Sequence, residues 1–156
     1  VIPSEQPVLV VDDFEDGREL LVEYLQFRGF PVVSAASGHE AITVAAQVRP
    51  SAVLMDLRMP DLDGWKATRC LRQHPTTAQT MIIALTAHAL APEIQSALNA
   101  GCDAVVSKPY DLAAFADALS VALREGPDAF AALGAPTQRH PTPSPAIATH
   151  RRDMRQ

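Results

Sequence analysis

The sequence predicts an α/β domain: a parallel five-stranded sheet with helices packed on both faces. Five short apolar runs recur, "PVLVVD" (7–12), "FPVVSA" (30–35), "SAVLMD" (51–56), "TMIIALT" (80–86) and "DAVVSK" (103–108). Each is too short for a helix, rich in Val, Ile or Leu, and without clean alternation, the pattern of a strand covered on both faces. Segments with helical spacing separate the runs through short connections, an alternation that builds parallel sheets by right-handed crossovers.

The elements follow in order. The first run ends on Asp12-Asp13, and after Asp16-Gly17 the residues Leu20, Leu21, Tyr24 and Leu25 place apolar groups on one helical face. Gly29 stands where a helix C-cap belongs. After the second run, Ser37 is placed to cap a helix whose stripe is Ala41, Val44, Ala45 and Val48. The third run leads through "MPDLDG" to a helix opened by Gly64. The fourth is followed by Pro92, suited to a first helical turn, then by Ile94, Ala97, Leu98 and the terminating Gly101. After the fifth, Asp111 precedes a helix carrying Leu112, Phe115, Leu119 and Leu123. Its further alanines extend beyond one core stripe and suggest a contact face, such as a homodimer would use.

These elements define a domain over 6–125, preceded by a short extension, 1–5. Residues 126–156 hold five of the chain's 13 prolines and no sustained periodicity. They read as a disordered tail, with at most a helical turn around "DAFAAL". A tail of this composition is not expected to form a helix-turn-helix, so no DNA-binding output is expected.

Composition narrows the function classes. At 156 residues and 47% hydrophobic, the chain can bury a core without disulfides or a structural metal. The net charge of −5 is uneven, with 16 of 18 acids before residue 127 and four of 13 basic residues after it. So acidic a domain is a poor direct ligand for nucleic acid. Cys70 and Cys102 form no Cys-x-x-Cys pair and suggest a reduced, cytoplasmic setting. No apolar run approaches the ~20 residues of a transmembrane helix, so no membrane partner is expected.

Ligands of open parallel sheets bind beyond the carboxyl ends of the strands. There the chain carries Asp12, Asp13, Asp56, Thr86 and Lys108. Singly, each has a plain use as a cap, a turn residue or a solvated charge. Together they gather acids and a lysine at one edge. Like charges ~4 Å apart cost ~4 kcal/mol per pair at an effective dielectric near 20. Such acids hold either protons or a cation, and an all-oxygen site suits Mg²⁺. A carboxylate beside Mg²⁺ and a lysine is equipped to attack phosphorus and form an aspartyl phosphate.

"VLVVDDFED", "VLMDLRMPDLDGW", "IIALTAHA" and "VVSKPY", in this order and spacing, resemble the receiver domain of bacterial two-component response regulators over roughly 6–125. The resemblance implies a flavodoxin-like, doubly wound, three-layer fold with strand order 2-1-3-4-5. It makes Asp56 the phosphoacceptor, Asp13 a direct Mg²⁺ ligand, and Asp12 an acid holding the metal largely through water. It assigns the backbone carbonyl of Arg58 to the metal shell, Thr86 to a hydroxyl turning toward the phosphoryl group, and Lys108 to its ammonium partner. Pro109 fits a Lys-Pro peptide that is often cis in the family. The implied donor is a histidine kinase or histidine phosphotransfer protein. The implied output is a downstream partner bound on the face of the fourth helix, fifth strand and fifth helix.

The resemblance has one departure: Val105 stands where many receivers carry a switching aromatic. A hydrogen bond from Thr86 to a phosphoryl group supplies roughly 1.5–3 kcal/mol. Full reversal of a 1:99 equilibrium takes ~5.5 kcal/mol, so a graded switch is expected. Asp61 and Asp63 read as turn and cap residues, and Arg58 and His88 flank the site, where they either screen it from water or lie on the surface. His39 and His74 read as surface residues. Three rivals stand beside this reading. One is a receiver module from a hybrid sensor histidine kinase. Another is a degenerate receiver used only as a binding scaffold, against which all the key residues are present. The third is a Mg²⁺-dependent aspartyl-phosphate phosphatase, whose second acid, two residues after the nucleophile, is replaced here by Arg58.

Overall fold

Val and Ile in the five runs are β-branched, stiff at χ1, and pack well on a pleated surface. The computed structural model, which describes residues 5–139, accordingly places strands β1 (Val8–Val11), β2 (Val32–Ala35), β3 (Ala52–Asp56), β4 (Met81–Thr86) and β5 (Ala104–Ser107) in one parallel sheet. Their order is β2-β1-β3-β4-β5. Helices α1 (Glu15–Phe27), α2 (Gly38–Val48), α3 (Gly64–Gln73), α4 (Ala91–Ala100) and α5 (Leu112–Glu125) alternate with them. This is the flavodoxin-like, doubly wound arrangement.

Strand side chains alternate between two cores. Val8, Val10, Leu54, Ile83 and Val106 pack with Leu21 and Leu25 of α1 and with Phe115 and Leu119 of α5. Leu9, Val11, Val53, Met55, Ile82 and Val105 pack with Ala41 and Ala45 of α2, Leu71 of α3 and Ala97 of α4. The two anticipated caps are made, Ser37 and Asp63 accepting from the backbone N–H of Glu40 and Lys66, and Asp111 caps α5 in the same way by accepting from Ala114. At the end of the sheet away from the acids, the Arg72 guanidinium donates to the carbonyls of Gly101, Ala78 and Thr80 and to Asp103. It thereby ties α3 to the strands on either side of α4.

Two expectations need correction. Leu20 is 58% exposed and does not face the core; Leu21 and Leu25 do. Successive helix positions are ~100° apart, and α1 rotates to bury the four-residue pair. The second concerns the tail. After α5 the chain forms a 3-10 helix, Pro127–Leu133, turns at Gly134 (φ 75°), and runs antiparallel to β5, with Thr137 opposite Ala104. Phe130, expected in a disordered stretch, is fully buried against Phe115 at a ring separation of 5.5 Å. An aromatic side chain with an open flank of α5 available has more to gain from burial than from solvent. The remainder of the anticipated tail, 140–156, and residues 1–4 lie outside the described residues.

Candidate active site at the carboxyl edge of the sheet

Register brings the acids together. Val11 pairs with Met55, so Asp12 and Asp56 follow side by side where β1 and β3 diverge. Asp12, Asp13 and Asp56 can each present a carboxylate oxygen within 4.8 Å of the others. Oxygens around an octahedral Mg²⁺ with ~2.1 Å bonds lie about 3 to 4.2 Å apart, so an all-carboxylate set gathered this closely suits the ion in chemistry and needs only a small closing of the side chains. Asp13 is exposed, Asp56 half-buried, and the Asp12 side chain only 14% exposed.

Asp12 is fixed from several sides. Its Oδ1 accepts the N–H of Phe14 at 2.9 Å, its carbonyl accepts from Arg18 at 2.9 Å, and its Oδ2 lies 3.7 Å from Lys108 Nζ. Asp56 Oδ1 accepts the backbone N–H of Arg58 at 3.2 Å. Burial pushes the Asp56 carboxyl up to about 6; the Lys108 charge and the Arg58 amide oppose this, while the Asp12 charge adds to it. The Asp56 proton is therefore held more tightly than on an ordinary aspartate.

Lys108 leaves β5 on a cis Lys108–Pro109 peptide, with its N–H donated to the Thr86 carbonyl at 2.8 Å. Thr86 is buried, and its hydroxyl accepts the N–H of His88 at 3.1 Å, which leaves the hydroxyl proton available for donation. The His88 residue is exposed, as are His39 and His74. Gly64 opens α3 against the acid-bearing strand: a Cβ there would stand 2.4 Å from the Asp56 carbonyl oxygen, so only glycine lets the helix start this close. Asp61 takes a left-handed turn at φ 63° and Asp63 caps α3; neither is among the three clustered acids.

Arg58 has an engagement the sequence does not announce. Its guanidinium pairs with Glu93 in the first turn of α4 and lies 6.0 Å above the Trp65 ring of α3. Residues 58 and 93 share no local spacing, and only the order of β3 and β4 makes them neighbours. Exposed pairs contribute about 0–1 kcal/mol. Arg58→Ala is expected to lower stability in urea by under about 1 kcal/mol. It should also speed amide exchange at Ile94, whose N–H closes the first turn of α4.

Sequence comparison matches the response regulator receiver domain model to residues 8–120. The regulatory protein AtoC of Escherichia coli is 38% identical over 105 residues, covering 67% of this chain and 22% of AtoC. Response regulator MprA of a Mycobacterium species is 39% identical over 126 residues, 78% of this chain and 54% of MprA. The sensor histidine kinase RcsC of Salmonella typhi is 37% identical over 118 residues, 76% of this chain and 12% of RcsC. The chain thus spans at most about half the length of these relatives. Among solved structures, the receiver domain of sensor histidine kinase PA1611 from Pseudomonas aeruginosa, with magnesium in its active-site cleft, superposes with a TM-score of 0.71 at 33% identity, covering 77% of this chain and 98% of that one. The chemotaxis protein CheY4 of Vibrio cholerae gives 0.72 at 26% identity, covering 76% and 98%. Sequence over most of its length and strand order thus point the same way, and the chain belongs to the response regulator receiver domain family of two-component signalling.

Proposed function

We propose that this domain accepts a phosphoryl group on Asp56 from the phosphohistidine of a histidine kinase or histidine phosphotransfer protein in the cytoplasm, and that the modification alters partner binding. The observation that carries the reading is the position of Asp56. It ends the central strand within the electrostatic reach of both Asp12 and Lys108, and an amide N–H orients its carboxylate. An Asp56 oxygen attacks phosphorus, the phosphorus–nitrogen bond breaks, and the imidazole nitrogen leaves with the electron pair. Lys108, now beside Asp12, pairs with the incoming phosphoryl oxygens. Thr86 donates its hydroxyl proton to them while still accepting from His88. Asp12, Asp13 and Asp56, with the Arg58 carbonyl, would hold Mg²⁺, which supplies the positive charge that offsets the three carboxylates and the phosphoryl group.

The arrangement supports signalling over turnover of an outside substrate. A phosphatase of the aspartyl-phosphate type needs an acid two residues after the nucleophile, and that place is taken by Arg58, engaged with Glu93. Self-catalysed transfer and dephosphorylation are then the domain's only chemistry. The similarity to RcsC keeps open a second reading, a receiver module within a hybrid sensor kinase.

Acetyl phosphate with Mg²⁺ is expected to add one base-labile phosphoryl group, seen by intact mass, and Asp56→Ala is expected to lose the gain. Retention of the gain by Asp56→Ala would overturn the assignment.

A further inference from the structure

β5 is the last strand of the sheet, and an edge strand presents unpaired N–H and C=O groups to any extended chain that approaches. Here the chain itself fills that place. The Val105 N–H donates to the Pro136 carbonyl at 3.1 Å, and the Gln138 N–H donates to the Asp103 carbonyl at 2.7 Å. The Gln138 carboxamide donates to the carbonyls of Leu98 and Cys102, each at 2.6 Å, so the same few residues also tie down the end of α4. Residues 134–139 therefore lie across β5 and reach α4, on the face where an output partner was expected.

The holding is uneven. The preceding 3-10 helix is rooted by Phe130, fully buried, whereas residues 134–139 are tied back by the exposed contacts of Thr137 and Arg139 with Asp128 and of Arg139 with the Glu125 carbonyl. Within 134–139 only Ala135 is buried. Apart from Ala135, the edge-pairing stretch is thus held by hydrogen bonds and one exposed ion pair rather than by buried apolar surface. Segments held in this way open locally without unfolding the domain.

The excursion also adjoins the loop that follows Lys108. Its turn, Leu133 to Ala135, shares a cleft with Pro109 and Tyr110, the residues directly after Lys108. Tyr110 stacks on Phe115 at 4.7 Å, and Phe115 contacts Phe130. A Lys108 drawn from Asp12 toward a phosphoryl group would shift the loop that lines this cleft opposite the turn.

We propose that residues 134–139 are an internal occupant of the β5 edge, which keeps the α4–β5–α5 face closed to partners and is released when Asp56 carries a phosphoryl group. This rests on the reading of Asp56 as phosphoacceptor. A partner bound at the freed edge is then an extended chain or strand, recognised through its backbone.

The test uses the full chain and amide exchange, with Mg²⁺ and beryllofluoride as a stand-in for the phosphoryl group and its binding followed by calorimetry. Bound beryllofluoride is expected to speed exchange at Val105 and Gln138 at least tenfold and to leave the amides of β3 unchanged. Gln138→Ala, without beryllofluoride, is expected to speed exchange at Val105 several-fold. If beryllofluoride binds and Val105 stays equally protected, the release is overturned and the segment is a fixed brace. If Gln138→Ala leaves Val105 unchanged, the weak hold on the edge is overturned. Failure of beryllofluoride to bind would overturn the Asp56 reading itself, and with it the release.

Discussion

Asp56→Asn is expected to stabilise the metal-free domain at pH 8 and to remove most of the stabilisation that Mg²⁺ confers. The folded protein holds the Asp56 proton up to about 6 against an ordinary value of 3.8, chiefly through burial. A group whose folded pKa is raised contributes stability that is fully present below its unfolded pKa and is lost as pH rises through the folded value. Metal-free wild type should therefore lose stability between about pH 4 and pH 6 relative to Asp56→Asn, which has no titrating group there. Because Asp56 is only half-buried, solvent screening limits the difference to about 1 kcal/mol, or a few degrees in Tm.

Mg²⁺ is expected to reverse the order. At 100 times its dissociation constant, a ligand that binds only the folded state stabilises it by about 2.7 kcal/mol. Removing one of three carboxylates should weaken the ion roughly 100-fold, leaving about 0.4 kcal/mol at the same concentration. Thermal melts of both proteins at several pH values, with and without Mg²⁺, check both signs. Equal Mg²⁺ shifts in the two proteins would remove Asp56 from the metal site.

The acids at this edge were legible because each ends an apolar run, so that strand position and chemistry coincide in a few consecutive letters. The caps at Ser37 and Asp63 were legible for the same local reason, an oxygen-bearing side chain just before a helical stripe. Contacts that depend on sheet order left no such mark. Arg58 meets Glu93 only because β3 and β4 are adjacent, and Arg18 reaches the Asp12 carbonyl only once α1 has turned back over β1. The cover on β5 was the least legible. Its pairing uses backbone groups of Pro136 and Gln138, which any sequence carries, and its composition is that of a disordered tail.

The packing of this segment has a measurable consequence at Phe130. A lone aromatic in a solvated tail contributes nothing to stability, and its replacement by alanine would leave unfolding unchanged. Buried among Phe115, Ala118, Leu119 and Ala122, it closes the flank of α5 and belongs to the same core as Leu54 and Ile83. Phe130→Ala is expected to cost about 3–5 kcal/mol, the range for aromatic truncation in a packed core. The collapse of a short 3-10 helix could fill part of the cavity and draw the value toward the lower end. Urea unfolding checks it: the midpoint should fall with little change in slope, since the surface exposed on unfolding is nearly the same. A cost under about 1 kcal/mol would mean the excursion after α5 is only loosely attached. The full cost would make residues 127–133 part of the folding unit and leave 134–139 alone as the portion free to open.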